Sequence, residues 1–89
     1  MTHIEAARVL CRSHLARLSS IVDDPEKLRR EKLDAHAGLS AAARFARLID
    51  ANEAGELLDD IADAMLDPAM RDPVGAAAHL DRLMGRVTA

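Results

Sequence analysis

Three aspartate–proline pairs partition the chain: Asp24-Pro25, Asp67-Pro68 and Asp72-Pro73, which use every proline it has. A residue before proline is kept out of the α region, and a helix N-cap must also sit outside it. The capping carboxylate can accept the first free helical N–H groups. Proline at the first helical position loses nothing, because that N–H has no partner in any helix. Each pair therefore reads as a helix start. A fourth start is written as Thr2-His3-Ile4-Glu5, where a hydroxyl and a glutamate three residues on have the spacing of a capping box. Alanine and leucine, both strong helix formers, fill the intervals, and β-branched residues are scarce. The expected fold is all-α, a compact bundle of four to five short helices forming a single helical domain over residues 1–89.

Apolar periodicity adds detail. At about 100° per residue, Ile4, Ala7, Cys11, Leu15, Leu18 and Val22 share one face of the first helix. From Pro25 onward the apolar phase changes direction: Leu28 and Ala35 define one line, and Ala42, Phe45, Leu48 and Ile49 another, about a quarter turn away. Between them lies Ala37-Gly38-Leu39-Ser40, with Gly38 suited to a C-terminal cap and Ser40 to a new N-cap. A break at Gly38 is expected. Asn52 is placed to cap the next helix, whose apolar face is Ala54, Leu57, Leu58, Ile61, Ala62 and Met65. That helix ends at Asp67-Pro68, and Ala69-Met70-Arg71 is a short connector. The last helix runs from Pro73 to about Val87 and buries Ala76, Ala77, Leu80, Leu83, Met84 and Val87.

Small size and a small-residue core limit what such a chain can do. Phe45 is the one aromatic residue among 89, and alanine contributes little buried area. A chain this short lies near the stability threshold, where partner subunits often supply missing burial. Val9, Leu33 and Leu66 are left over from the apolar faces. They fit a homo-oligomer, and they equally fit a monomer with scattered surface apolars. No apolar stretch is long enough to cross a bilayer. The first residues lack the apolar core of a signal peptide, and Glu5 and the capping box count against reading Arg8, Arg12 and Arg17 as a transit peptide. A single cysteine cannot form an internal disulfide. The expected compartment is the cytoplasm.

Catalytic and metal-binding motifs are weak. Cys11 and His14 form C-x-x-H on one helix, with His3 nearly in line. Zinc needs three or four convergent ligands, and His36 or His79 would join only through tertiary placement. Cys11 lies in the middle of an apolar face, where a thiol behaves as a small hydrophobe and is closed to substrate. No metal or cofactor is expected. The four glycines are dispersed and form no phosphate loop. Ser13, Ser19, Ser20 and Ser40 have no motif around them. The chain is not expected to be an enzyme. The basic-looking stretch Pro25–Asp34 has Glu26–Arg30, Lys27–Glu31 and Arg30–Asp34 at helical pairing distance, so it reads as a self-paired solvated face.

The functional signal is electrostatic. Net charge is −3, but residues 48–70 hold seven acids and no base, while residues 1–47 balance at +3. Glu53, Glu56, Asp60, Asp63 and Asp67 run along one helix face with Asp59 at its edge. Like charges three or four apart each cost a few tenths of a kcal/mol in an isolated helix. A helix-turn-helix reading of residues 45–65 would aim Asp59, Asp60 and Asp63 at a nucleic-acid backbone, which would repel them, so direct nucleic-acid binding is not expected. Three readings of the stripe stay open. It is a solubilising face, it pairs with Arg8 and Arg12 of the first helix, or it docks a basic partner. The leading expectation is a non-enzymatic helical regulator or adaptor that binds a protein partner through the acidic face and an apolar patch. The alternative is a nucleic-acid-mimicking inhibitor of a nuclease or other nucleic-acid-binding complex, of the kind a mobile element makes. Acids at helical spacing lie roughly 6 Å apart, close to the phosphate spacing of a strand.

Overall fold

A computed structural model describes residues 1–88 as four α-helices and one 3-10 turn. The helices are α1 (His3–Ser20), α2 (Pro25–Leu48), α3 (Asn52–Ala64) and α4 (Pro73–Thr88), with the 3-10 turn at Pro68–Arg71 between α3 and α4. No strand is present among the described residues. The main seams join α2 to α3, and α1 to both α4 and α3.

The expected caps form. The Thr2 hydroxyl accepts the Glu5 N–H at 3.2 Å while the Glu5 carboxylate accepts the Thr2 N–H at 3.3 Å. Asp24 accepts the Lys27 N–H at 3.1 Å, and Asp72 accepts the Gly75 N–H at 2.8 Å. Asp67 opens the 3-10 turn, accepting the Ala69 N–H at 2.8 Å. The Ala69-Met70-Arg71 connector is therefore a structured turn, and it drives Met70 into the core with 1% of its surface exposed.

Three expectations need correction. The first is the break at Gly38: α2 runs unbroken through it. No glycine adopts a positive φ, so Gly38 forms no left-handed cap. It faces the imidazole of His14, and a Cβ there would lie 3.6 Å from the ring. The buried line of α2 is Leu28, Ala35, Leu39, Ala43 and Ala46, which keeps one helical phase throughout. The apparent phase change came from assuming that the large side chains Phe45, Leu48 and Ile49 are inside. They are 62%, 83% and 43% exposed.

The second correction concerns the corner after α2. The helix ends with Asp50 in the left-handed region at φ 60. The Ala51 N–H reaches the Ala46 carbonyl at 2.8 Å and the Asp50 N–H reaches Arg47 at 3.1 Å, the paired bonds of a Schellman ending. This early stop places Ala51 at the cap position of α3, with no side-chain cap, and makes Asn52 the first helical residue. The third lies on α4, where Ala77 is exposed and the buried line is Ala76, Leu80, Leu83 and Val87.

One continuous cluster of buried side chains joins all four helices and Met70, and it contains no polar or charged residue. No buried side-chain N or O atom lacks a hydrogen-bond partner among the described residues.

Two glycines of α4 should respond oppositely to alanine. A Cβ at Gly75 would come within 2.9 Å of the Ala69 carbonyl oxygen, where backbone must move, whereas Gly85 has open space around it. Gly75→Ala should destabilise the fold by about 1–3 kcal/mol. Gly85→Ala should stabilise it by about 1 kcal/mol through helix propensity alone. Urea unfolding followed by circular dichroism reads both.

Candidate functional site

The buried side of α3 is Ala54, Gly55, Leu58, Ile61 and Ala62. Residues roughly half a turn away must then face solvent, and these are the acids. Glu53, Glu56, Asp60 and Asp63 are exposed, and Asp59 is partly buried at the edge. Asp67 is also exposed but stands beyond the end of α3 and caps the 3-10 turn. The stripe is therefore five acids on one helix and a sixth held by a separate structural duty.

Cations from two other helices reach it. Arg47 of α2 pairs with Asp59. Arg86 of α4 lies 3.5 Å from Asp60. Both pairs are substantially solvent-exposed, so each contributes at most about 1 kcal/mol. Arg8 and Arg12 do not take this role. Arg12 donates to the Val87 carbonyl at 2.9 Å, satisfying the C-terminal end of α4, and Arg8 makes no ion pair among those found in the described residues. Among the described residues, Glu53, Glu56 and Asp63 have no cation within 4 Å. The self-pairing expected within Pro25–Asp34 also gives way, since Glu31 reaches across to Arg17 of α1 at 3.4 Å.

Two histidines serve α3 in a way its own sequence does not reveal. The His36 Nδ1 lies 2.8 Å from the Ala62 carbonyl oxygen and the His79 Nε2 lies 2.9 Å from that of Ala64. A carbonyl only accepts, so each ring nitrogen donates. Both carbonyls also accept a backbone bond of the tightened last turn, from the Met65 N–H at 3.1 Å and the Asp67 N–H at 3.3 Å, so α2 and α4 each add a second donor there, on the oxygen's remaining lone pair. These contacts span 26 and 15 residues of sequence, beyond the reach of any local pattern.

Cys11 is wholly buried in the core, where desolvation pushes its thiol up to about 11. Burial, reinforced by the Arg17 charge, holds the His14 imidazole below its ordinary value. No three His, Cys, Asp or Glu side chains converge as metal ligands among the described residues. No described helix is long and apolar enough to cross a membrane.

A second surface forms where Phe45 and Ile49 stay outside the core. An apolar groove of about 200 Å³ runs between α1 and the C-terminal half of α2. Ala6 and Leu10 form one wall, Phe45 and Ile49 the other, and Ala54 and Leu58 of α3 the floor. The groove thus uses the buried side of α3, and the acids occupy the opposite side. No flat partner surface can cover both at once. Comparison with protein-family models, with curated proteins and with solved structures gives no match.

The histidine contacts carry a stability prediction. His36→Ala and His79→Ala should each destabilise the fold by about 1 kcal/mol, the net value of a typical internal hydrogen bond. Amide hydrogen exchange should show the loss concentrated in the last turn of α3.

Proposed function

We propose that this chain is a cytoplasmic, non-enzymatic helical adaptor or regulator that docks on a basic protein surface through the outer face of α3. The observation that carries the reading is the state of Glu53, Glu56 and Asp63. They stand exposed with no cation within 4 Å among the described residues, on a helix whose other side is locked into the core. A rigid face of one sign raises the encounter rate with an opposite surface and excludes like-charged competitors. Asp59 at the edge and Asp60 on the strip itself are already paired with Arg47 and Arg86. Both acids can exchange these cations for a partner's at little cost, because exposed ion pairs are weak.

Charge reversal tests it. Glu56→Lys, Asp60→Lys and Asp63→Lys together alter only exposed side chains. The triple variant should fold and lose partner binding by at least about tenfold, mostly in the association rate. Wild-type association should slow as salt rises. Capture from host extract with this variant as control is the direct measurement, and equal capture by both proteins would remove the acidic face from the function. Added duplex DNA or RNA distinguishes the mechanism. An adaptor of this kind leaves the partner's nucleic-acid binding intact, and displacement of nucleic acid would mean mimicry instead.

A further inference from the structure

We infer that the apolar groove between α1 and α2 is closed in solution by a second copy of this chain, related to the first by a two-fold axis. The inference concerns the side of the molecule away from the acidic face and does not depend on what that face binds.

A two-fold contact requires one surface that is complementary to itself, carrying both a projection and a recess. This face has both. Phe45 and Leu48 project with 62% and 83% of their surfaces exposed. The recess lies directly beside Phe45, which lines it, and is walled by Ala6 and Leu10 and floored by Ala54; Leu48 stands one turn along α2 from Phe45. Small alanines on the walls make room for a large side chain. The chain's sole aromatic stands at the rim of this recess.

Charge selects the same face. The groove is lined by no Asp, Glu, Lys or Arg, and His3 is its one ionisable lining residue, with Asp50 and Glu53 at the adjoining end beside His3 and Ala51. Two copies, each with a formal charge of −3, oppose fewer like charges here than across the outer faces of α3. Meeting through the outer faces of α3 would set Glu53, Glu56 and Asp63 against their equivalents, which is unfavourable.

Area is consistent with a dimer of modest affinity. A phenylalanine presents roughly 150–250 Å², and leucine and isoleucine fall toward the lower end of that range. The exposed fractions of Phe45, Leu48 and Ile49 therefore leave roughly 350 Å² of apolar surface, within the range that marks a functional patch. Two such patches total roughly 700 Å² and the groove walls add little, which places the contact among small, weak interfaces. The resulting dissociation constant should fall in the micromolar range. A dimer joined this way points its two acidic faces outward, which would give a bivalent adaptor.

Sedimentation equilibrium or light scattering across about 1–300 µM, a range bracketing micromolar affinity, tests the inference. Wild type should pass from a one-chain to a two-chain mass. Phe45→Glu with Leu48→Glu should hold the one-chain mass throughout while keeping the wild-type helical circular dichroism. Phe45→Ala, which keeps a good helix former and adds no charge, should weaken association at least about tenfold and reads the same contact if the charged pair disturbs folding. The triple reversal on α3 should dimerise like wild type, so a failed partner-binding result leaves this one standing. A wild-type mass of one chain at the highest concentration overturns the inference, and so does dimerisation that survives both Phe45 variants.

Discussion

The structure depends on how closely α3 lies against α2. With its one aromatic outside, this chain must fill its interior with leucine, methionine and alanine, and alanine pays off only where helix axes approach closely. The seam shows that approach directly. Ala43 and Ala46 of α2 face Ala54 and Gly55 of α3, all buried. A Cβ on Gly55 would lie 3.1 Å from Arg47 Cγ and 3.4 Å from the Ala43 carbonyl oxygen. The Arg47 stem passes over Gly55 and its guanidinium pairs with Asp59. The seam thus fixes the rotation of α3, and that rotation decides what faces solvent.

Two surfaces follow from the rotation. The acids of α3 point outward, with Arg47 and Arg86 reaching Asp59 and Asp60, and Glu53, Glu56 and Asp63 facing water. The inner side of α3 meets the core, and where α1 and α2 leave a gap it becomes the floor of the apolar groove. The end of α3 is secured from outside by His36 and His79, whose donated protons compensate for a last turn that contains no base. This matters because Asp63 lies at the end where the helix dipole disfavours an acid. The repulsion built into the stripe is offset by contacts with other helices, so the acidic face can stay rigid without being neutralised.

The helix starts were legible in the sequence because caps are local chemistry. Thr2 with Glu5, Asp24, Asp67 and Asp72 each act within three residues of themselves. The path of α2 was misread for a physical reason. Periodicity weights large apolar residues, and here Ala43 and Ala46 are inside while Phe45 and Leu48 are outside. A chain whose core is alanine-rich carries its strongest apolar signal where burial is incomplete, so the misreading and the groove have the same origin. The left-handed Asp50 had a weak local signal, since aspartate tolerates that conformation better than most residues. The histidine donors and the paired cations had none, because their partners lie far along the chain. The acids were found from sequence, but their placement opposite the groove required the fold.

In the proposed dimer the outward-facing Phe45 is an intermolecular contact. Isotope-filtered nuclear Overhauser spectroscopy on an equal mixture of labelled and unlabelled protein observes that contact itself. Phe45 is the only Phe, Tyr or Trp, so its ring spin system is assigned once the imidazole signals of the four histidines are identified. The ring of one copy should show cross-peaks to the Ala6 and Leu10 methyl groups of the other. Filtered spectra without such cross-peaks, at concentrations where the unfiltered spectrum shows the ring's own-chain contacts, would contradict it.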